Sequence, residues 1–419
     1  MTNRNKVAVV GAGAAGLMAA GFAARAGADV VLLERNRRPA RKVLITGKGR
    51  CNVTNDCGDI RELVGAVPAN GRFLYSAFSG FMPADTMEFF EHQGVALKTE
   101  RGNRVFPQSD KSGDIANALE RFALSAGARM IQGRAVRLGM EEKKLTGVWT
   151  EEGRFFAADS VILATGGLSY PATGSTGDGY ELARSAGHTI LPTHPSLSAL
   201  NIHEGWCYDL QGLSLRNSAI TVEDTVRKKE IYTDFGEMLF THFGVSGPMV
   251  LSASAHMRPM ERGRYRIHID LKPALQPDQL DRRILRDFEA SRNRNFINAL
   301  DLLLPKKLVP VIVRLSGIPA SQKVHSITRE QRRGLAALLK RLTLSVDGFR
   351  PVEEAIVTAG GVCTREVDPR TMQSKLCPGL YFAGELLDVD AYTGGYNLQI
   401  AFSTGKLAGL SAAAQEERI

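Results

Sequence analysis

Cysteine is scarce in this chain: five in 419 residues, an odd number. That excludes the stapled framework of a small secreted protein and points to reduced thiols in a cytoplasmic one. Long apolar runs are also missing. The stretch that comes nearest, Val7 to Ala24 behind Arg4 and Lys6, is broken by Gly11, Gly13, Gly16 and Gly21 and suits neither a signal peptide nor a membrane span. There is no P-loop, no Gly-x-Ser-x-Gly elbow and no zinc-ligand spacing, so kinase, serine-hydrolase and metallohydrolase chemistry fall away. Neither an internal repeat nor a low-complexity linker interrupts the sequence. The Asn52-Val53-Thr54 triplet matches a glycosylation sequon that a cytoplasmic protein does not use.

What remains is an ordinary globular composition, 44% hydrophobic and 23% charged, long enough for two or three domains. The net charge is +9, unevenly spread: between Asp281 and Arg341 stand 14 Lys and Arg against 5 Asp and Glu. A solvated helical face accounts for such a run; a surface for RNA or an anionic substrate is the sharper alternative.

The organisation reads as α/β. Val7 to Val10 is a continuous apolar run, as in a buried parallel strand. Ala14 to Ala26 makes a helix that Gly27 can stop, and Val30 to Leu33 returns as a second strand. Further strands are expected at Ser160 to Gly167 and Gly379 to Asp388, the latter leading through Gly394 and Gly395 into a last helix. From Leu191 the alternation breaks up. Arg264 to Asp270 alternates like an antiparallel strand with one wet face, while Asp281 to Leu300 and Thr328 to Leu342 carry apolar residues at helical spacing. The expected division is a discontinuous domain, 1–190 with 346–419, and an inserted β-rich module, 191–345, whose basic helical part covers about 276–342.

Gly11, Gly13 and Gly16 form Gly-x-Gly-x-x-Gly between strand and helix, and Glu34 closes the second strand. The first glycine permits a tight turn, the second lets backbone approach a pyrophosphate, and the third allows close helix–strand packing. Glu34 can accept from a ribose 2′-hydroxyl, which suits FAD or NAD rather than NADP. The N-terminal position favours FAD, as does the lack of a second copy; Gly174 to Gly179, GSTGDG, has no apolar strand leading directly into it. Glu385 is placed at the ribityl or pyrophosphate region, and the dipole of the helix after Gly395 at the flavin ring.

GKGRCNVTN, RVFPQSDK, ATGGLSYPATGSTGDGYELARSAGH, GEMLFTHFGVSGP and the C-terminal segment containing PGLYFAGELLDVDAYTGGYNLQIAFSTG together resemble the BaiN/YhiN-like flavoproteins. That family is described as NAD(P)/FAD-dependent oxidoreductases; some members are called aminoacetone oxidases, others bile-acid-pathway reductases. The resemblance runs from about Val7 to Gly409. It implies a Rossmann-like FAD domain of the two-dinucleotide-binding type, with an inserted β-barrel-like module and a small helical subdomain. The implied enzyme is an FAD-dependent oxidoreductase with non-covalent FAD, acting on a small organic substrate, with NAD(P)H or oxygen as redox partner. An RNA-modifying flavoprotein is the alternative.

The expected FAD contacts are Gly11, Gly13, Ala14, Ala15, Gly16, Glu34, Arg35 and Lys42; then Gly47, Gly49, Arg50, Cys51 and Asn52; then Val136, Ala164, Thr165 and Gly166; and finally Gly384, Glu385, Gly394, Gly395, Tyr396 and Asn397. Flavin disulfide reductases of similar layout space their redox cysteines C-x4-C, whereas Cys51 and Cys57 stand C-x5-C, so this segment is expected to wall the flavin instead. Lys48 and Arg50 would supply charge there. Candidates for catalysis are Tyr170, whose phenol can donate to a substrate carbonyl; His242, as an acid or base ahead of a helix start; and Cys51, as a pocket thiol. Arg104 can anchor an anion or solvate a loop.

Overall fold

The computed structural model describes residues 4–142 and 144–414 and divides into two compact units, Met1–Ser196 with Pro351–Ile419, and Leu197–Arg350. The expected boundaries were 190/191 and 345/346. The strand Ile190–Ser196 pairs antiparallel with Val357–Val362 inside the first unit, which carries its edge beyond residue 190.

The first unit is built on a five-stranded parallel sheet. Its strands are β1 (Lys6–Val10), β2 (Asp29–Glu34), β3 (Arg129–Gln132), β4 (Ser160–Leu163) and β5 (Leu380–Phe382), in the order β5-β4-β1-β2-β3. Val9 is matched to Leu32 on one side and Ile162 on the other, and Ile162 to Tyr381. A central strand covered on both faces has no wet side, which is why Val7–Val10 is uniformly apolar.

Helix α1 (Ala14–Arg25) follows β1, and the closing helix α2 (Tyr396–Ala413) lies against it. Their contact depends on small residues. A Cβ at Gly405 would stand 2.4 Å from the Ala15 carbonyl oxygen, and one at Gly409 would stand 2.3 Å from that of Ala19. Both helices are apolar nearly all round, as buried helices are. Helix α1 ends at Arg25, and Gly27 turns the chain with φ +96°.

The second unit holds a closed six-stranded antiparallel barrel, ordered Leu200–Ile202, Gly244–Ser246, Lys229–Thr241, Ser214–Asp224, Tyr265–Asp270 and Leu342–Phe349. The alternation expected at Arg264 to Asp270 is only partly kept. Arg266 is exposed, but His268 is buried between Glu223 (2.8 Å) and Thr343 (2.9 Å), and Arg264 is buried against Asp224 at 2.9 Å. Polar partners satisfy these groups, so the sequence pattern alone could not reveal their burial. Helices Pro277–Glu289, Val309–Ser316 and Arg329–Lys340 complete this unit, with Leu280, Ile284, Phe288, Leu335 and Leu339 in its core. Among the described residues no helix is long and apolar enough to cross a membrane.

Candidate cofactor and active site

A cavity opens in the first unit at the C-terminal edge of the parallel sheet, where β1, β2 and β4 end. Each glycine of the first turn has a separate task there. Gly11 has φ +98°, and a Cβ on it would stand 2.6 Å from the Ala164 carbonyl oxygen. One on Gly16 would stand 1.8 Å from the Gly11 carbonyl oxygen. Gly13 differs: its missing Cβ points into open space, with no atom within 4 Å. Ala14 and Ala15 line the cavity beside it, at the start of a helix whose cap carries no side-chain hydrogen bond. This bare backbone at a positive helix end is a cradle for a pyrophosphate.

Glu34 is buried next to it. Its Oε2 accepts from the Ala12 amide at 2.8 Å, and its Oε1 accepts from the Asn36 amide and side chain, both at 2.8 Å. A carboxylate has about four acceptor positions, so Oε2 keeps one for a sugar hydroxyl. Arg134 binds Asp178 through two bonds of 2.8 and 2.9 Å, and Arg35 donates to Thr176 at 2.6 Å and Asp178 at 3.3 Å. Arg134 beside Asp178 holds that carboxyl below the usual carboxylate range, against the opposing effect of burial.

At the other end Lys42 donates to Glu385 at 2.6 Å and to Ser169 at 2.8 Å. Glu385 also accepts from Ser169 at 2.9 Å and from the Thr358 amide at 2.8 Å. Gly384, with φ +72°, brings this group against Ala15, whose Cβ lies 2.8 Å from where a Gly384 Cβ would stand. Thr165 and Gly166 form the floor; the buried Thr165 hydroxyl, lodged against Gly179, has no hydrogen-bond partner among the described residues.

Of the residues singled out from sequence, Gly11, Gly13, Ala14, Ala15, Glu34, Arg35, Lys42, Ala164, Thr165, Gly166, Gly384, Glu385 and Asn397 line this cavity. Others stand elsewhere. Val136 is 46% exposed while its neighbour Ala135 lines the wall, because successive strand residues face opposite ways. Arg50 is taken by Glu100 and Asp110 and lies over the Phe106 ring at 4.1 Å, so it brings no free charge to the site. Asn397 lines the cavity, but its amide exchanges two 2.9 Å bonds with the Ala391 backbone and pins that loop. Gly16 packs inside the turn, and Gly394, Gly395 and Tyr396 form the entry to α2 without lining the cavity. Gly395 has φ +100° and lies against the Thr54 carbonyl, and the Asn52 side chain, with its amide turned to suit its neighbours, accepts from the Gly395 amide.

Gly47, Lys48, Gly49 and Cys51 all have left-handed backbone, a conformation glycine adopts freely and the other two do not. Cys51 and Cys57 are both free thiols. Cys51 is wholly buried, and burial pushes its thiol up to about 12, so neither a nucleophile nor half of a redox pair is offered to the cavity. Tyr170 is outside the lining; its own turn has φ +53°, with its amide on the Glu353 carbonyl at 3.1 Å. His242 is exposed in the second unit, on the turn after Lys229–Thr241, with its ring against Phe243. Arg104 donates to the Arg101 carbonyl at 3.0 Å.

Sequence reasoning passed over Asn36, Arg134, Asp178, Ser169 and Thr358. The GSTGDG segment, set aside because no strand leads into it, supplies Gly174, Ser175, Thr176 and Asp178 to the cavity wall. A second acid placed to bind two arginines leaves no local trace in the sequence.

Comparison with known proteins gives the family. The model of the HI0933-like protein Rossmann domain matches residues 5–411. The chain belongs to this HI0933-like Rossmann family. A 3-dehydro-bile acid delta(4,6)-reductase of Clostridium scindens is 34% identical over 421 residues, spanning 98% of this chain and 99% of that protein. A ribosomal RNA dihydrouridine synthase of Escherichia coli is 31% identical over 402 residues, 94% of this chain and 95% of that one. A solved 3-ketosteroid delta1-dehydrogenase from Sterolibacterium denitrificans shares the fold, with a TM-score of 0.51 over 98% of this chain and 99% of that chain at 13% identity. The chain is an oxidoreductase of this family. The residues fit FAD: Gly13 with the start of α1 would hold the pyrophosphate, Glu34 the ribose, and Lys42 with Glu385 the ribityl hydroxyls and phosphates on the flavin side.

Proposed function

We propose that this enzyme reduces a carbon–carbon double bond conjugated to a carbonyl, with NAD(P)H as the source of electrons. The observation that carries the reading is a cavity built for FAD in a chain whose full-length relatives are named for reductions of this type. A 3-dehydro-bile acid with delta-4 and delta-6 bonds and a uracil ring each present an alkene in conjugation with a carbonyl. The balanced reaction adds a hydride and a proton across the alkene and converts NAD(P)H to NAD(P)+. Bound FAD supplies the two-electron chemistry.

The chain's own residues bind and orient. Lys42 neutralises Glu385, Ser169 and the Thr358 amide fix that carboxylate, and the start of α1 directs its positive end to the cavity. Tyr170, next in the chain to the Ser169 that binds Lys42 and Glu385, is the candidate for placing the proton. A cytoplasmic location accords with five free thiols.

The test is an anaerobic titration of the FAD-loaded protein with NADH and then NADPH, followed by a 3-keto-4-ene steroid acid or a uridine-containing RNA. Bleaching of the flavin band by a nicotinamide and its recovery on adding either acceptor supports the reading. A flavin that dithionite reduces but no nicotinamide bleaches would sink it. A second reading, oxidase activity, would show as recovery in air alone with neither acceptor reduced.

A further inference from the structure

The second unit carries charge that the cofactor site does not use. Of the 14 Lys and Arg between residues 281 and 341, six pair with carboxylates: Arg283, Arg286, Arg314, Arg332, Lys340 and Arg341. The other eight have no carboxylate within ion-pair distance among the described residues, Arg292, Arg294, Lys323, Arg329 and Arg333 among them, and these five are exposed.

Three of them are held together by the backbone. Asn295 bridges antiparallel to Lys323, the Val324 amide donates to the Arg294 carbonyl at 3.1 Å, and His325 Nδ1 lies 2.9 Å from the Arg292 carbonyl oxygen. The Lys323 ammonium itself donates to the Asn293 carbonyl at 3.0 Å. Arg292, Arg294 and Lys323 therefore project from two adjoining segments. Arg329 and Arg333 stand nearby on helix Arg329–Lys340; both act on Asp281, whose carboxyl Arg332 binds at 2.7 Å. Asp281 is already bound by Arg332, and exposed cations that no carboxylate pairs leave a positive potential that favours an anionic partner.

The surface also says which kind. Phe288 and Phe296, the aromatic residues of this stretch, are both in the core, 5% and 0% exposed. Without aromatic platforms a surface lacks the strongest stacking partners for splayed bases, the mode by which single strands are held. Cations on a rigid frame contact phosphates instead, and the shape of a base-paired helix sets their spacing.

We propose that the face formed by Arg292, Arg294, Lys323, Arg329 and Arg333 docks base-paired RNA through its phosphates. This deepens the reductase reading by naming the kind of molecule that carries the reducible base, and it rests on that reading only for the identity of the substrate.

The experiment uses the full FAD-loaded chain and a fluorescent RNA hairpin, with single-stranded poly(U) and anionic phosphatidylglycerol vesicles as competitors. Binding is followed from about 50 to 200 mM salt. The triple variant Arg292→Glu, Arg294→Glu and Lys323→Glu is expected to bind the hairpin at least tenfold more weakly and to lose about 2 to 3 from the log–log salt slope. Equal reversals at Arg72, Arg101 and Arg121 in the first unit are expected to leave most of the affinity intact. An unchanged flavin spectrum and melting temperature show that the triple variant folds. Hairpin binding that the triple variant retains would overturn the proposal, as would tighter binding of poly(U) or of the vesicles. A wild type that reduces a small enone with NAD(P)H yet ignores the hairpin would remove the docking surface and keep the reductase; tight, salt-steep hairpin binding without any reduction would do the reverse.

Discussion

Lys42 and Glu385 meet at 2.6 Å although 343 positions separate them in the chain. One stands just after the N-terminal fingerprint and the other just before the last helix, so the pair closes the cavity wall from opposite ends of the sequence.

Replacing Lys42 by Ala leaves the Glu385 carboxylate four-fifths covered without its cation. Loss of a charged hydrogen bond of this kind costs about 1–3 kcal/mol. The melting temperature of the cofactor-free protein should fall, and FAD affinity measured by flavin fluorescence quenching should fall at least tenfold, about 1.4 kcal/mol. Lys42→Arg should recover part of both. Unchanged FAD affinity in Lys42→Ala would show that the pair serves the fold alone.

Gly13 and Gly16 should separate cofactor binding from folding. A Cβ at Gly13 meets open space, so Gly13→Ala should leave the cofactor-free melting curve nearly unchanged while it weakens FAD binding. A Cβ at Gly16 would stand 1.8 Å from a backbone oxygen, and Gly16→Ala should cost about 3 kcal/mol in the denaturant midpoint whether or not FAD is present. Equal damage to both properties in both variants would contradict the cradle.

Asp178 links stability to acidity. Its carboxyl titrates below the ordinary range in the folded protein because Arg134 binds it. The stabilisation is therefore complete above the unfolded value near pH 4 and is lost as pH falls through the lower folded value. The melting-temperature gap between wild type and Asp178→Asn should be constant from about pH 7 to pH 5 and shrink below about pH 4. A gap that widened on acidification would refute the pairing.

Thiol chemistry should divide the cysteines. Cys363 is the one partly exposed thiol, whereas Cys51, Cys57, Cys207 and Cys377 are buried. Native protein should react rapidly with a disulfide reagent at Cys363 and at the remaining four only after denaturation. Cys51→Ser should keep its nicotinamide-dependent flavin bleaching; loss of bleaching with an intact flavin spectrum would restore the redox role denied to it above.

The parts of the site legible in sequence are those made by neighbours in the chain. Gly11, Gly13, Gly16 and Glu34 lie within one strand–helix–strand unit, so their spacing carries their geometry. Arg134 with Asp178, and Ser169 and Thr358 with Glu385, are brought together by the tertiary fold and have no such spacing. The charge of Arg50 was visible in the sequence and its partners Glu100 and Asp110 were not. The place of Asn397 at the helix start was readable and it lines the cavity, but the bonds of its side chain to the Ala391 backbone were not. Val136 stands one position from Ala135 in the wall, the distance that turns a strand side chain from one face to the other.

The glycine contacts between α1 and α2 bear on how the enzyme is made. Ala15 and Ala19 leave room for nothing larger than glycine opposite them, and the residues that fill that place, Gly405 and Gly409, each stand 390 positions further along the chain. The helix that opens the cradle lacks one of its neighbours until that distant segment packs against it, so the cradle forms with the domain as a whole and not with the fingerprint alone.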